Sequence, residues 1–226
     1  QEATHPKSII TEAESADDVL YGCVEEVCTT MEQVTKIYNR TLVAVFKENR
    51  KVLREMVAHS DDLFEQARTR KYNIMITLRR MQNCDIGTGH FYVQVVDYLS
   101  EVTKALIHIT RPAFEHIDNN HEGLTKAQIV DLMRVNDEVE AIFDKINEML
   151  RTKDFAELNR VLEMRDSLFD TIVEATKSQL SRIQHDPTTS TKSGILYLTI
   201  LNETKTMILQ ARNLLKSQNY FLENKK

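Results

Sequence analysis

Residues 99–111 and 201–213 carry one apolar register 102 positions apart. Leu99, Val102, Leu106 and Ile109 fall on Leu201, Thr204, Ile208 and Ala211. Steps of three and four residues mark a helix that buries one side. The same offset carries Leu78-Arg79-Arg80-Met81 onto Leu180-Ser181-Arg182-Ile183, whereas Leu63-Phe64-Glu65 meets Leu168-Phe169-Asp170 at an offset of 105. Self-similarity with a period of about 100 residues points to a repeated supersecondary unit. The chain therefore reads as two copies of one helical unit.

Composition bears on how long those helices are. Five glycines and three prolines in 226 residues leave little material for turns, so the segments between turns are long. Gly87, Gly89, Gly123 and Gly194 sit where the periodic pattern stops, and only Gly22 lies inside it. An apolar content of 42% supports a real core, and 28% charged residues suits long solvated helices. Lacking a run of about 18 apolar residues, the sequence predicts no membrane span. A net charge of −5 with mixed signs argues against a nucleic-acid footprint. Cys23, Cys28 and Cys84 are odd in number and lack metal or redox spacing, which fits a reducing compartment. The chain starts at Gln1 without an apolar targeting segment, and it reads as a piece of a longer protein.

The pattern predicts six helices. Residues 1–10, with Pro6, read as a tail or linker; residues 11–122 form the first three-helix repeat and 123–226 the second. Thr11 and Glu14 form a capping box for a helix over 12–47, which turns Val19, Cys23, Val27, Met31, Val34, Tyr38 and Leu42 inward. A second helix spans 50–83, after a weak break at Glu48-Asn49. Residues 84–89 read as a turn, and a third helix over 90–120 should kink near Pro112. Gly123 stops it, and a second capping box, Thr125 with Gln128, opens a helix over 126–151. Helices over 154–184, capped by Asp154 or Glu157, and over 194–222 complete the second copy. The fold class is all-α, two tandem antiparallel three-helix bundles.

Two bundles of this size resemble the PhoU family of phosphate-signalling proteins. The segments Tyr98-Leu-Ser-Glu-Val-Thr-Lys-Ala-Leu106 and Phe114-Glu-His-Ile-Asp-Asn-Asn-His121 are similar to the cytoplasmic PhoU-like domain that ends bacterial Na/Pi-cotransporter family proteins. The resemblance spans about residues 15–222. It implies a regulatory or scaffold domain on the cytoplasmic face of the bacterial inner membrane, part of a sodium-dependent phosphate transporter. Its partner would be the membrane domain of the same chain, with apolar spans upstream of Gln1, or a sister subunit in a homo-oligomer. A free-standing PhoU-type regulator and a ferritin-like metal protein are the alternatives.

The resemblance also implies where a metal cluster would sit, on Glu-x-x-x-Asp of each third helix. Those positions here hold Ser100 and Lys104, and Asn202 and Thr206, so the motif is degraded. Asp97 and Glu101 have carboxylate spacing one turn earlier, but Thr199 stands where the second copy would need Asp97's partner. Glu101 and Glu203 match at the offset of 102 and read as flanking charges paired with Lys104 or Lys205. Asp118 and His121 form half of a helical dimetal pattern and read instead as a helix end. His108 reads as an interhelical hydrogen-bond partner. No metal and no cofactor is assigned, and the chain reads as a non-enzyme, since Gly87-Thr-Gly89 lacks a phosphate-loop Lys and Cys84 an activating base. Met56, Met75, Met81 and Met207 read as core. Arg68, Arg70, Lys71, Arg79 and Arg80 cluster on the second helix and form the patch suited to acidic lipid headgroups or an acidic partner.

Overall fold

A computed structural model describes residues 15–81 and 84–224. These residues are 88% helical, with seven helices and no strand among them. The helices are α1 (Ala16–Phe46), α2 (Arg50–Tyr72), α3 (Ile74–Arg80), α4 (Ile86–Asp118), α5 (Lys126–Thr152), α6 (Leu158–His185) and α7 (Thr191–Asn224). The tail over 1–10 and the Thr11–Glu14 capping box lie outside the described residues. Within them α1 is capped by Ser15, whose Oγ accepts from the Asp18 amide at 3.1 Å. Asp17 and Asp18 add negative charge at the positive end of the helix dipole.

Helices α1, α2 and α4 form one antiparallel bundle and α5, α6 and α7 a second. Contacts fix the directions. Arg40 meets Glu55 while Glu26 meets Arg70, so α1 and α2 run oppositely. Ser60 meets Thr110 and Lys71 meets Asp97, so α2 and α4 do too. The bundles join through α4 against α7 and α1 against α5. Along the α4–α7 seam, Phe91 stacks on Phe221, Ser217 donates to Gln94, and His108 faces Glu203, which makes this pair antiparallel as well.

Burial shows the repeat in a different register from the one read at 99–111. Apart from Gly194, every buried residue of α7, moved back 105 positions, lands on a buried residue of α4: Tyr197 on Tyr92, Leu201 on Val96, Thr204 on Leu99, Ile208 on Thr103. Every buried residue of α5 lands by the same shift on a buried residue of α1, among them Val139 on Val34 and Phe143 on Tyr38. A slip of three residues turns a helix by only about 60° from full register, so an apolar stripe survives it. The offset of 102 is thus corrected to 105, the value that Leu63-Phe64-Glu65 already had. Glu101 then falls on Thr206 and Glu203 on Tyr98, so the two glutamates are not counterparts.

Other boundaries move for local reasons. The second helix is not one piece over 50–83: it breaks at Asn73, and α3 ends at Arg80. The segment 84–89 is not all turn, because Asp85 caps α4 through the Thr88 amide at 2.7 Å and the glycines enter the helix. α4 runs past Pro112 to Asp118. Asn120, not Gly123, takes the left-handed conformation that closes it, with φ of 53°. Glu48 and Lys153 serve the α1–α2 and α5–α6 turns in the same way. Asp154 accepts from the Ala156 amide, whereas Glu157 makes no capping hydrogen bond. The Thr125–Gln128 capping box forms as read. Met56, Met81 and Met207 are core, but Met75 is 61% exposed.

Candidate functional site

Each bundle carries a polar cluster where its second helix meets the start of its third. A Gly-x-x-Tyr element places it twice, Gly89 to Tyr92 and Gly194 to Tyr197, 105 residues apart. At Gly194 the missing side chain allows close approach, since a Cβ there would lie 3.0 Å from Gln179 Nε2, whereas one at Gly89 would meet Leu78 Cδ2 at an ordinary 3.6 Å. In the second bundle Tyr197 donates to Asp131 at 2.8 Å, and Arg182 donates to the same carboxylate oxygen at 2.8 Å. Arg182 also donates to Gln179, which accepts from Gln128, the residue that closes the α5 capping box. Burial, then the Asp131 carboxylate, hold the Tyr197 phenol above its usual range. In the first bundle Arg70 pairs with Glu26 at 2.8 Å, and Tyr92 is raised chiefly by burial, with Thr77 as its hydrogen-bond partner. Cys23, the counterpart of Gln128, is pushed up to about 12 by burial and by Glu26. Neutral phenols and a neutral thiol give these clusters no nucleophile near pH 7.

The other sequence-picked residues are dispersed. Asp97 pairs with Lys71 across α2–α4, and Glu101 lies 4.0 Å from Lys104 on its own helix. Glu203 faces His108 at 3.6 Å, not Lys205, whose ammonium sits over the Phe169 ring. At 3.6 Å that pair is an interhelical charge contact, longer than the hydrogen bond expected of His108. Asp118 pairs with Arg50 at 3.4 Å, while His121 stacks at a tilt on His116. His116, read with Asp118 and His121 as part of a helix end whose side chains cap carbonyls, is buried and bonds the Glu122 carbonyl at 2.7 Å; Ser193 donates to that same oxygen. Among the described residues no three His, Cys, Asp or Glu side chains are grouped to hold a metal ion.

The basic cluster divides. Arg70 and Lys71 turn to Glu26 and Asp97 on neighbouring helices. Arg68 pairs with Glu65 at 3.3 Å and reaches the Tyr72 hydroxyl. Arg79 and Arg80 lie on α3, not on the same helix as the others. Two grooves flank Lys36 and Arg40: one of about 350 Å³ over the α1–α2 seam with His59 and Asp62, and one of about 640 Å³ between α1 and α5 with Glu140 and Asp144. Both mix signs of charge and are open to solvent. Among the described residues no helix is long and apolar enough to cross a membrane.

No family model matches the chain, and no curated protein does. Solved structures do. The phosphate transport system regulatory protein PhoU from Streptococcus pneumoniae is similar with a TM-score of 0.73 and 11% identity, over 94% of this chain and 98% of that one. PhoU from Pseudomonas aeruginosa is similar with a TM-score of 0.77 and 15% identity, over 92% of this chain and 99% of that one. At such identities the likeness is one of fold: this chain has the all-α, double three-helix architecture of those proteins.

Proposed function

We propose that this chain is a regulator of phosphate transport that works as a binding module and not as an enzyme. The observation that carries the reading is the extent of the likeness, which takes in 98–99% of two chains described as PhoU, one of them as a phosphate transport system regulatory protein. The dispersal of acids and histidines into separate ion pairs supports a non-catalytic role. Partners would be components of a phosphate transport system on the cytoplasmic side of a bacterial membrane. Regulation then requires that a bundle surface contact the partner differently in its active and quiet states, since only differential affinity shifts such an equilibrium.

The stand-alone regulator is the form favoured here, because the solved structures of like fold are described as PhoU and neither is described as part of a transporter. A domain fused to a sodium-dependent transporter rests on the segments 98–106 and 114–121 alone. The coding sequence preceding Gln1 separates the two: several apolar spans support the fused form, and an initiator Met close by supports the regulator. The shared reading is tested by capturing the tagged chain from its host and identifying what co-purifies. A phosphate transporter component supports it, and reproducible capture without one, under both phosphate-rich and phosphate-poor growth, counts against it.

A further inference from the structure

We propose that the outward face of the α2–α3 segment is a docking surface for an anionic lipid bilayer. Arg68, Tyr72, Met75, Ile76 and Arg79 follow one another by four, three, one and three residues, which places them on one side of the segment. Tyr72 is 72% exposed, Met75 61% and Ile76 57%, and α3 contains no buried residue. Three large apolar side chains thus stand in water side by side, between two arginines.

The segment itself carries charge of one sign. Residues 68–80 hold five cations and no acid, in a chain of net charge −5. Arg70 and Lys71 point away to Glu26 and Asp97. Arg68 pairs with Glu65 on its own helix and lies over the Tyr72 ring, 5.3 Å from its centroid. Arg79 makes no ion pair among the described residues. The fold does not demand this arrangement. The same positions in the second bundle hold Val173, Lys177, Leu180, Ser181 and Gln184, and α6 runs unbroken where α2 and α3 part at Asn73.

Shape and charge select the occupant. A partner helix needs a concave apolar groove, and none of the grooves described above takes in Tyr72, Met75 or Ile76. A second copy meeting it about a twofold axis would set arginines against arginines. A bilayer suits it: Met75 and Ile76 reach the acyl boundary, Tyr72 sits at headgroup depth, and Arg68 and Arg79 extend to lipid phosphates. So small an apolar area gives weak, reversible binding that needs both charge and insertion.

The test is co-sedimentation of the intact chain with vesicles of equal parts phosphatidylglycerol and phosphatidylcholine, against phosphatidylcholine alone. The expected result is binding to the anionic vesicles only, weakened by salt. Met75→Ser/Ile76→Ser should lose about tenfold in affinity and Arg79→Gln about fivefold. These side chains are exposed, so circular dichroism should be unchanged in both variants. Equal binding to both vesicle types, no binding to either, or binding that survives the double substitution overturns the proposal. Lipid alone is the probe, so failure here leaves the transport-regulator reading standing, and failure of that reading leaves this result intact.

Discussion

The hydroxyls of Tyr38 on α1 and Thr204 on α7 meet at 2.9 Å in the fully buried seam between the two bundles. At the counterpart positions of the repeat, 105 residues on and 105 back, stand Phe143 and Leu99, both buried and neither able to hydrogen-bond. One side of the pseudo-symmetric core is thus polar where the other is oily. Tyr38→Phe should cost about 1 kcal/mol by stranding the Thr204 hydroxyl, and Tyr38→Phe combined with Thr204→Val should recover most of that loss. Urea denaturation of the two single variants and the double, read as a mutant cycle, measures the coupling.

Asp131 accepts from both Tyr197 and Arg182 and ties α5 to α6 and α7. Its side chain and that of Arg182 remain roughly a quarter exposed, so the pair is worth less than a fully buried one. Asp131→Ala should cost about 2 kcal/mol, and Asp131→Asn less, because the amide oxygen still accepts from Tyr197. The ordering of the two urea midpoints is the check.

Alkaline pH should destabilise the fold before the tyrosines ionise. An unfolded Cys ionises near pH ~8.5, whereas folded Cys23 keeps its proton to about 12 because it is buried beside Glu26. Between those values the native state binds more protons than the unfolded state, so stability falls as pH rises, by at most about 1.4 kcal/mol per pH unit from this group. Below the unfolded value its contribution is fully present. Urea midpoints should decline above pH ~8.5, and Cys23→Ala should flatten that decline even if it lowers the midpoint at neutral pH.

Asp97 and Glu101 should be dispensable for folding. Their partners Lys71 and Lys104 are solvent-accessible, and such pairs contribute about 0–1 kcal/mol. A lysine beside each carboxylate also opposes a cation. Asp97→Asn/Glu101→Gln should leave the melting temperature within a few degrees and the metal content of purified protein unchanged. Stoichiometric metal that disappears in the variant would show that the pair is a ligand set.

Long periodic helices were legible because apolar spacing alone specifies them, as with Met31, Val34 and Tyr38. The repeat register was not, because a three-residue slip keeps a stripe nearly in phase; the paired Gly-x-x-Tyr elements at 89–92 and 194–197 carried the signal that would have set it. Turns were sought at glycines, yet Glu48, Asn120 and Lys153 take the left-handed conformations and no glycine does. At Glu48 and Asn120 the amides donate to the Val45 and Ile117 carbonyls, local hydrogen bonds that let ordinary residues hold those positions. The break at Asn73 and the exposure of Met75 interrupt an apolar pattern that runs on through Ile74 and Leu78, so periodicity did not reveal them. Of the candidate residues, Glu101 kept the local partner Lys104 that its spacing suggested, whereas the partner of Glu203 was hidden, since it finds His108 on a helix nearly 100 residues away in sequence.

Disrupting the gene for this chain in its host and measuring phosphate uptake across a range of external phosphate tests the central claim most directly. Uptake should lose its dependence on external phosphate, and the intact gene supplied in trans should restore it. Uptake that follows external phosphate identically with and without the gene would contradict a role in regulating phosphate transport.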